Sequence, residues 1–243
     1  LRMCREIGNR RDECVSLGNL ADVALYLGDH QAAHEYTEQA IKLARQIGNK
    51  ISESWSLASQ GLLLHQRKDD EAAYEYSQRA LAIAADVGAR HEQARAYTFS
   101  GHALIGLGKP IEAAEAYERA LNLRRELGQR NLEFEALAGL ARASYAQHKF
   151  DEARTHIESI LLYLTDGSLD GTDEPIRVYL TCYTVLKAAR DPRTEKTLIT
   201  AYNILQERAE RIQDDGIRRS FLENVPAHRE LIAELKHYDH NDK

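Results

Sequence analysis

Few side chains in this sequence are spaced for chemistry, and each such group can be weighed against what its reaction needs. Residues 106–110, GLGKP, bring two glycines and a lysine together as a phosphate-cradling loop does. That loop requires GxxxxGK[ST] after a strand, so that successive backbone N–H groups ring the phosphates. Here Pro110 follows the lysine and removes a donor, and the tight turn of a helical hairpin is the better reading. His30 and His34 stand one helical turn apart, the spacing at which two imidazoles can share a zinc ion. Zinc takes three or four ligands, and no third is evident nearby. His102 carries a group that titrates near neutral pH, yet with no nucleophile in sequence reach it reads as part of a surface. Cys4, Cys14 and Cys182 form no CxxC and adjoin no histidine motif, which fits a reducing cytoplasm. No catalytic group, no metal site and no cofactor site emerges, so the chemistry left to this chain is recognition.

The elements that must position any recognition surface are repeated. Gly88 recurs at Gly8, Gly48 and Gly128, Ala113 at Ala33, Ala73 and Ala153, and Ala120 at Ala40 and Ala80, always forty residues apart. Such a fixed period means identical supersecondary units, each burying its apolar face against its neighbours. Within one unit, Ala94, Tyr97, Gly101, Leu104 and Ile105 share one face of a helix. Gly108 and Pro110 then end it and start the next, along which Ala113, Tyr117, Ala120, Leu121 and Leu123 face inward. The alanine columns are small because helices packed at about 8–10 Å leave little room at the crossing. Tyr36 and Tyr76 are expected to pack between second helices rather than hold a ligand.

This spacing predicts an all-α chain with helices near 10–27, 30–46, 50–67, 70–86, 90–107, 110–126, 130–147 and 150–164, and with Asp29 and Asp69 as N-caps. Residues 1–8 read as the end of a truncated preceding repeat, with more chain expected upstream, and 9–164 as four repeats. After Leu164 the register breaks at TDGSLDGTDE. The loop 165–174 shows no partner for its backbone, and proteolysis is expected to cut first between Asp166 and Asp173. A modified fifth repeat over 175–214, laid over the fourth with a shift of 41, puts Cys182 and Ala201 in the small columns; its helices fall near 175–188 and 193–212. Capping helices over 215–238, near 215–223 and 226–237, and a frayed tail over 239–243 complete the expectation.

Composition narrows the partners. The 243 residues are 43% hydrophobic with a formal net charge of -6, and Lys and Arg are dispersed among acids, which argues against direct nucleic-acid binding. No apolar run approaches the ~18–20 residues that span a bilayer, and no signal peptide is evident, so no membrane contact is expected.

The columns resemble the tetratricopeptide repeats. A small residue lies mid-way along the first helix (Ala21, Gly61, Gly101, Ala141), and two alanine positions mark the second (33/73/113/153, and 40/80/120 with Ile160 fourth). The chain departs from that pattern in its longer period, forty against about thirty-four. It also carries Leu17, Leu57, Tyr97 and Leu137 where a bulky aromatic is usual. The junctions Ile7-Gly8-Asn9 and Ile47-Gly48-Asn49 at this period, with the ending SFLENVPAHRELI, resemble the sensor arms of bacterial STAND-type signal-transduction ATPases and of large transcriptional regulators. The resemblance implies a right-handed α-solenoid of antiparallel helix pairs without enzymatic activity of its own, although a full-length protein could carry an ATPase domain. It further implies a cytoplasmic setting and a protein or peptide partner, which could be another domain of the same polypeptide or a second copy.

In that family the concave groove is lined by first-helix positions beside the core stripe. Here they are Asn19, Asp22, Tyr26, Trp55, Ser59, His65, Arg95, Phe99, His102, Arg142 and Tyr145. Tryptophan, further aromatics and arginine dominate binding hot spots. A partner lying across them would be extended or helical, with carboxylates for Arg95 and Arg142, and both arginines are expected to be exposed and dispensable for folding. An equally weighted reading has Trp55 and Phe99 covered by the neighbouring first helix, serving only as packing. Two functional readings follow: a regulatory interaction arm with an occupied groove, and a rigid scaffold or self-association arm with an empty one.

Overall fold

A computed structural model describes residues 1–241. Among these residues every regular element is a helix: α1 (Arg2–Glu6), α2 (Arg10–Tyr26), α3 (His30–Ile47), α4 (Lys50–Gln66), α5 (Asp70–Asp86), α6 (Arg90–Gly106), α7 (Pro110–Glu126), α8 (Arg130–Ala146), α9 (Phe150–Tyr163), α10 (Pro175–Ala188), α11 (Thr194–Glu210), α12 (Asp215–Glu223) and α13 (Pro226–Asn241). The chain divides into two compact units. The first holds Leu1–Leu25 and Asp29–Gly128; the second holds Tyr26–Gly28 and the chain from Gln129 onward.

The forty-residue spacing sets where helices stop. Gly48 ends α3 with φ +69°, so its N–H turns back to the carbonyls of Ala44 and Arg45, and nothing lies within 4 Å of the position a Cβ would take. The glycine is therefore required by backbone conformation alone. Lys68, His148 and Arg190 adopt the same left-handed conformation without being glycine, a strain of about 1–2 kcal/mol at each. Asp29 and Asp69 cap α3 and α5 by accepting from the N–H groups of Ala32 and Ala72, and Asn49 caps α4 in the same way.

In unit 1, formed by α1 to α7, the small columns are fully buried: Ala33, Ala73, Ala113, Ala40, Ala80 and Ala120 expose no surface. A Cβ on Gly101 would stand 2.6 Å from the Tyr117 ring, and one on Gly61 would stand 2.7 Å from Ser77 Oγ. In these two repeats the first and second helices thus approach until only glycine fits between them. Tyr36 and Tyr76 are half-buried against this core.

Unit 2 is built on α8 to α13. Ile160 fills the fourth alanine position and is fully buried. Arg193, at the head of α11, grips Glu158 of α9 through Nη1 (2.8 Å) and Nη2 (2.5 Å) and also reaches Asp191. The Arg193 guanidinium, together with the Arg193 backbone N–H, holds the Asp191 carboxyl far below the usual carboxylate range. Tyr26 belongs to this unit, its ring 5.4 Å from that of Phe221, and Ser220 Oγ donates to the Gly28 carbonyl at 2.8 Å.

Two expectations are corrected here. The segment 165–174 is tied down rather than loose. Leu169 is 2% exposed, Asn131 Nδ2 donates to the Asp170 carbonyl at 2.9 Å, Tyr163 Oη to that of Ser168 at 3.0 Å, and Arg208 pairs with the Asp170 carboxylate. The acids and glycines of TDGSLDGTDE hide the single apolar side chain that pins it. The end of the last helix is also corrected: α13 continues to Asn241 rather than stopping near 237, and residues 242 and 243 of the expected tail lie outside the described residues.

Candidate partner-binding face

Three first helices of unit 1 meet around one arginine. Arg95 of α6 stands forty residues after Trp55 of α4 and lies over the Trp55 ring at 4.2 Å, with the Phe99 ring at 4.7 Å. Its Nη2 donates to Asp22 Oδ1 of α2 at 3.0 Å, and its Nη1 donates to Ser59 Oγ at 2.9 Å and to the Trp55 carbonyl at 3.3 Å. Asp22 also accepts from Trp55 Nε1 at 2.7 Å and from Ser59 Oγ at 2.6 Å, and His91 stacks on the Trp55 indole at 5.6 Å. Arg95 is 2% exposed and Phe99 1%. Buried charge is tolerated when it is paired and its donors are used, and this group meets both conditions.

The expectation that Arg95 stands exposed to grip a partner's carboxylate is therefore corrected: the carboxylate it grips is Asp22, 73 positions earlier. Phe99 is core, as the covered reading required, while Trp55 is only half-buried. Ser59 is fully buried in the same cluster. His102, read from the sequence as a surface group, is 1% exposed, with Nδ1 at 2.7 Å from Tyr117 Oη and its ring beside those of Phe99 and His65. His65 is half-buried, its Nδ1 2.5 Å from Asp70 Oδ1. His30 and His34 hydrogen-bond to Gln66 and Gln60.

What stays open on this face of unit 1 is a cleft of about 250 Å³ between α2 and α4, lined by Val15, Gly18, Asn19, Ile51, Ser52 and Trp55 among others. Val15 and Ile51 are 46% and 52% exposed. Neither was singled out in the sequence: Val15 shares the column of Trp55 and Arg95 but is a small aliphatic residue, and Ile51 is an isolated apolar residue at a first-helix start.

In unit 2, Arg142 and Tyr145 of α8 line a cleft of about 150 Å³ with Arg177, Thr181 and Thr184 of α10 and Glu230 of α13. Arg177 Nη1 donates to Glu230 at 2.9 Å. Arg177 escaped the sequence reading because the fifth repeat is out of register, and Glu230 because α13 lies beyond the repeats. Tyr26, grouped with the groove in that reading, instead packs on Phe221 and accepts a hydrogen bond from Arg208 at 3.3 Å. The predicted groove residues are thus parted: Asp22, Trp55, Ser59, Arg95 and Phe99 form one network, Asn19 shares a cleft with Trp55, and Arg142 and Tyr145 share another.

Tetratricopeptide-repeat patterns match residues 51–126 and 16–47. Among solved structures it is similar to a Rap protein complexed with competence and sporulation factor, at 16% identity and a TM-score of 0.63, covering 95% of this chain and 64% of that one. It is similar to BtubC (BKLC) from P. vanneervenii at 18% identity and a TM-score of 0.62, covering 87% and 91% of the two chains. The apo form of RapI matches at 15% identity and a TM-score of 0.58, covering 96% and 67%. These likenesses establish an all-helical fold of stacked repeat hairpins, and the chain spans just under two thirds of the Rap protein's own length. No curated protein matches it by sequence. No helix among the described residues is long and apolar enough to cross a membrane.

Proposed function

We propose that the chain is a protein- or peptide-binding tetratricopeptide module that takes its partner on the first-helix face. The observation that carries this reading is the cleft between α2 and α4, where Val15 and Ile51 are half exposed beside Trp55 and rimmed by Asn19 and Ser52. An apolar slot with a few hydrogen-bonding groups and an aromatic wall is what an anchor side chain of a peptide needs. The cleft of unit 2, in which Arg177 is paired with Glu230, is a separate candidate surface that carries Arg142 and Tyr145. The Rap structure, solved in complex with competence and sporulation factor, supports a bound factor as one class of partner. The period of forty and the Gly-Asn junctions support the finer reading of a cytoplasmic sensor arm of a larger signalling ATPase or transcriptional regulator.

The scaffold reading draws on one observation: the Arg95 network already fills the middle of the unit 1 face with the chain's own groups. The two are separated by a pull-down with the chain as bait, followed by titration of the retained partner against Ile51→Asp and Arg142→Ala. The interaction arm requires a loss of on the order of 1–3 kcal/mol for either variant with little change in melting. Unchanged affinity in both, or capture of nothing but copies of the chain, assigns the scaffold role.

A further inference from the structure

A different cleft lies in unit 2 away from the first-helix face, between the second helices α9 and α11, and encloses about 650 Å³. One wall is formed by positions 158, 161, 162 and 165, the other by 193, 196, 197 and 200, and Tyr179 of α10 lies between them. Positions 158, 161 and 162 share one face of α9 and 196, 197 and 200 one face of α11, and Thr165 and Arg193 extend the two walls just past the helix ends. Leu162 is 74% exposed there. The same position in the three earlier repeats holds Lys42, Ala82 and Asn122. A large apolar side chain therefore reaches solvent at this column only in the repeat whose successor is set apart by the 165–174 segment. Leu161 and Leu164 extend the apolar lining.

The charges at the cleft separate into those already matched and one that is not. Arg193 is paired with Glu158 and Asp191, and Arg154 with Asp191 at 3.4 Å. Lys196 lines the cleft, is exposed, and forms no ion pair among the described residues. An occupant that complements the site has an apolar ridge two helical turns long and one acidic group. We infer that this cleft docks a single amphipathic helix of a protein partner, its leucine-type side chains on Leu161, Leu162 and Tyr179 and its carboxylate on Lys196. Two helical faces with Tyr179 between them favour a helix over a compact small molecule, because a third helix can lay its side chains along both walls. The site is independent of the first-helix face and stands or falls apart from it.

The test uses the full chain and a fluorescein-labelled helical peptide of about 18 residues, with leucines at i, i+3, i+4 and i+7, one flanking glutamate, and alanine and glutamine elsewhere, followed by anisotropy. Saturable binding is expected. Leu162→Lys, which installs the residue of the first repeat, should weaken it about tenfold or more. Lys196→Glu should weaken it about three- to tenfold, and a peptide with lysine in place of its glutamate should recover the loss. Both side chains are exposed, so melts of the variants should match the parent, while Ile51→Asp and Arg142→Ala should leave peptide binding unchanged. No saturable binding, or binding indifferent to both cleft variants, overturns the inference. So does binding of dansylated undecanoic acid in place of the peptide, which would make the occupant a small amphiphile. Concentration-dependent self-association of the chain that Leu162→Lys abolishes would make it a second copy and likewise overturn the inference.

Discussion

Replacing Arg95 by alanine tests whether the centre of the first-helix face is a structural brace. The substitution strands the Asp22 carboxylate, which keeps Trp55 Nε1 and Ser59 Oγ as donors, and removes a guanidinium layered between two rings. Breaking a buried pair from one side costs about 3–5 kcal/mol. The Asp22 side chain is 23% exposed and water can reach it, which places the cost at the low end, about 3 kcal/mol. For a chain of this size each kcal/mol moves the melting midpoint by about 2–4 °C, so Arg95→Ala should melt roughly 6–12 °C lower. The assay is a thermal melt followed by circular dichroism, run with Asp22→Asn and the double variant. If the pair acts as the geometry says, the double variant should be less destabilised than the sum of the singles by about 1–3 kcal/mol. A melt of Arg95→Ala within one or two degrees of the parent, with additive singles, would refute the brace and return Arg95 to the list of exposed anchors.

Other expectations follow from particular positions. His228 is buried, its Nδ1–H donates to the Phe221 carbonyl at 2.7 Å, and burial pushes its imidazole down to about 4. Above about pH 6.5 both states are neutral there. Between pH 6.5 and 4 only the unfolded chain takes up the proton, so stability falls with falling pH, by about 2 kcal/mol at pH 5. His228→Gln should lose that part of the acid sensitivity in denaturant titrations at pH 7 and 5, and equal sensitivity of the two proteins would count against it. Ala73→Glu should destabilise by more than about 3 kcal/mol because position 73 is fully buried at a helix crossing, whereas Glu75→Ala at an exposed position should be nearly silent; similar melts would mean the repeat register is wrong. Lys68→Gly relieves a left-handed residue at φ 64°, and after the entropy cost of glycine should stabilise by about 0.5–1 kcal/mol, read as a raised melting midpoint.

The repeat period carried the local structure. Glycine or its substitutes at helix ends, aspartate caps and alanine crossings are all short-range requirements, and short-range requirements are visible as residue types at fixed spacing. The helices from α2 to α10 accordingly begin where the spacing places them and end within a residue or two of it. Arg95 shows where such reading stops. Its type and column suited an exposed anchor equally well, and its partner Asp22 lies in another repeat, so only packing three first helices together could show that the pair meets and excludes water. His102 turned out buried for the same reason, its place set by Tyr117 filling the space that Gly101 leaves. The segment 165–174 was misread because polar composition speaks for solvent, while its anchorage depends on Asn131 and Arg208 from distant helices. Which columns fold as helix was a property of sequence neighbours. Which side chains remain available to a partner was decided by which helices come to lie beside them, and that is tertiary.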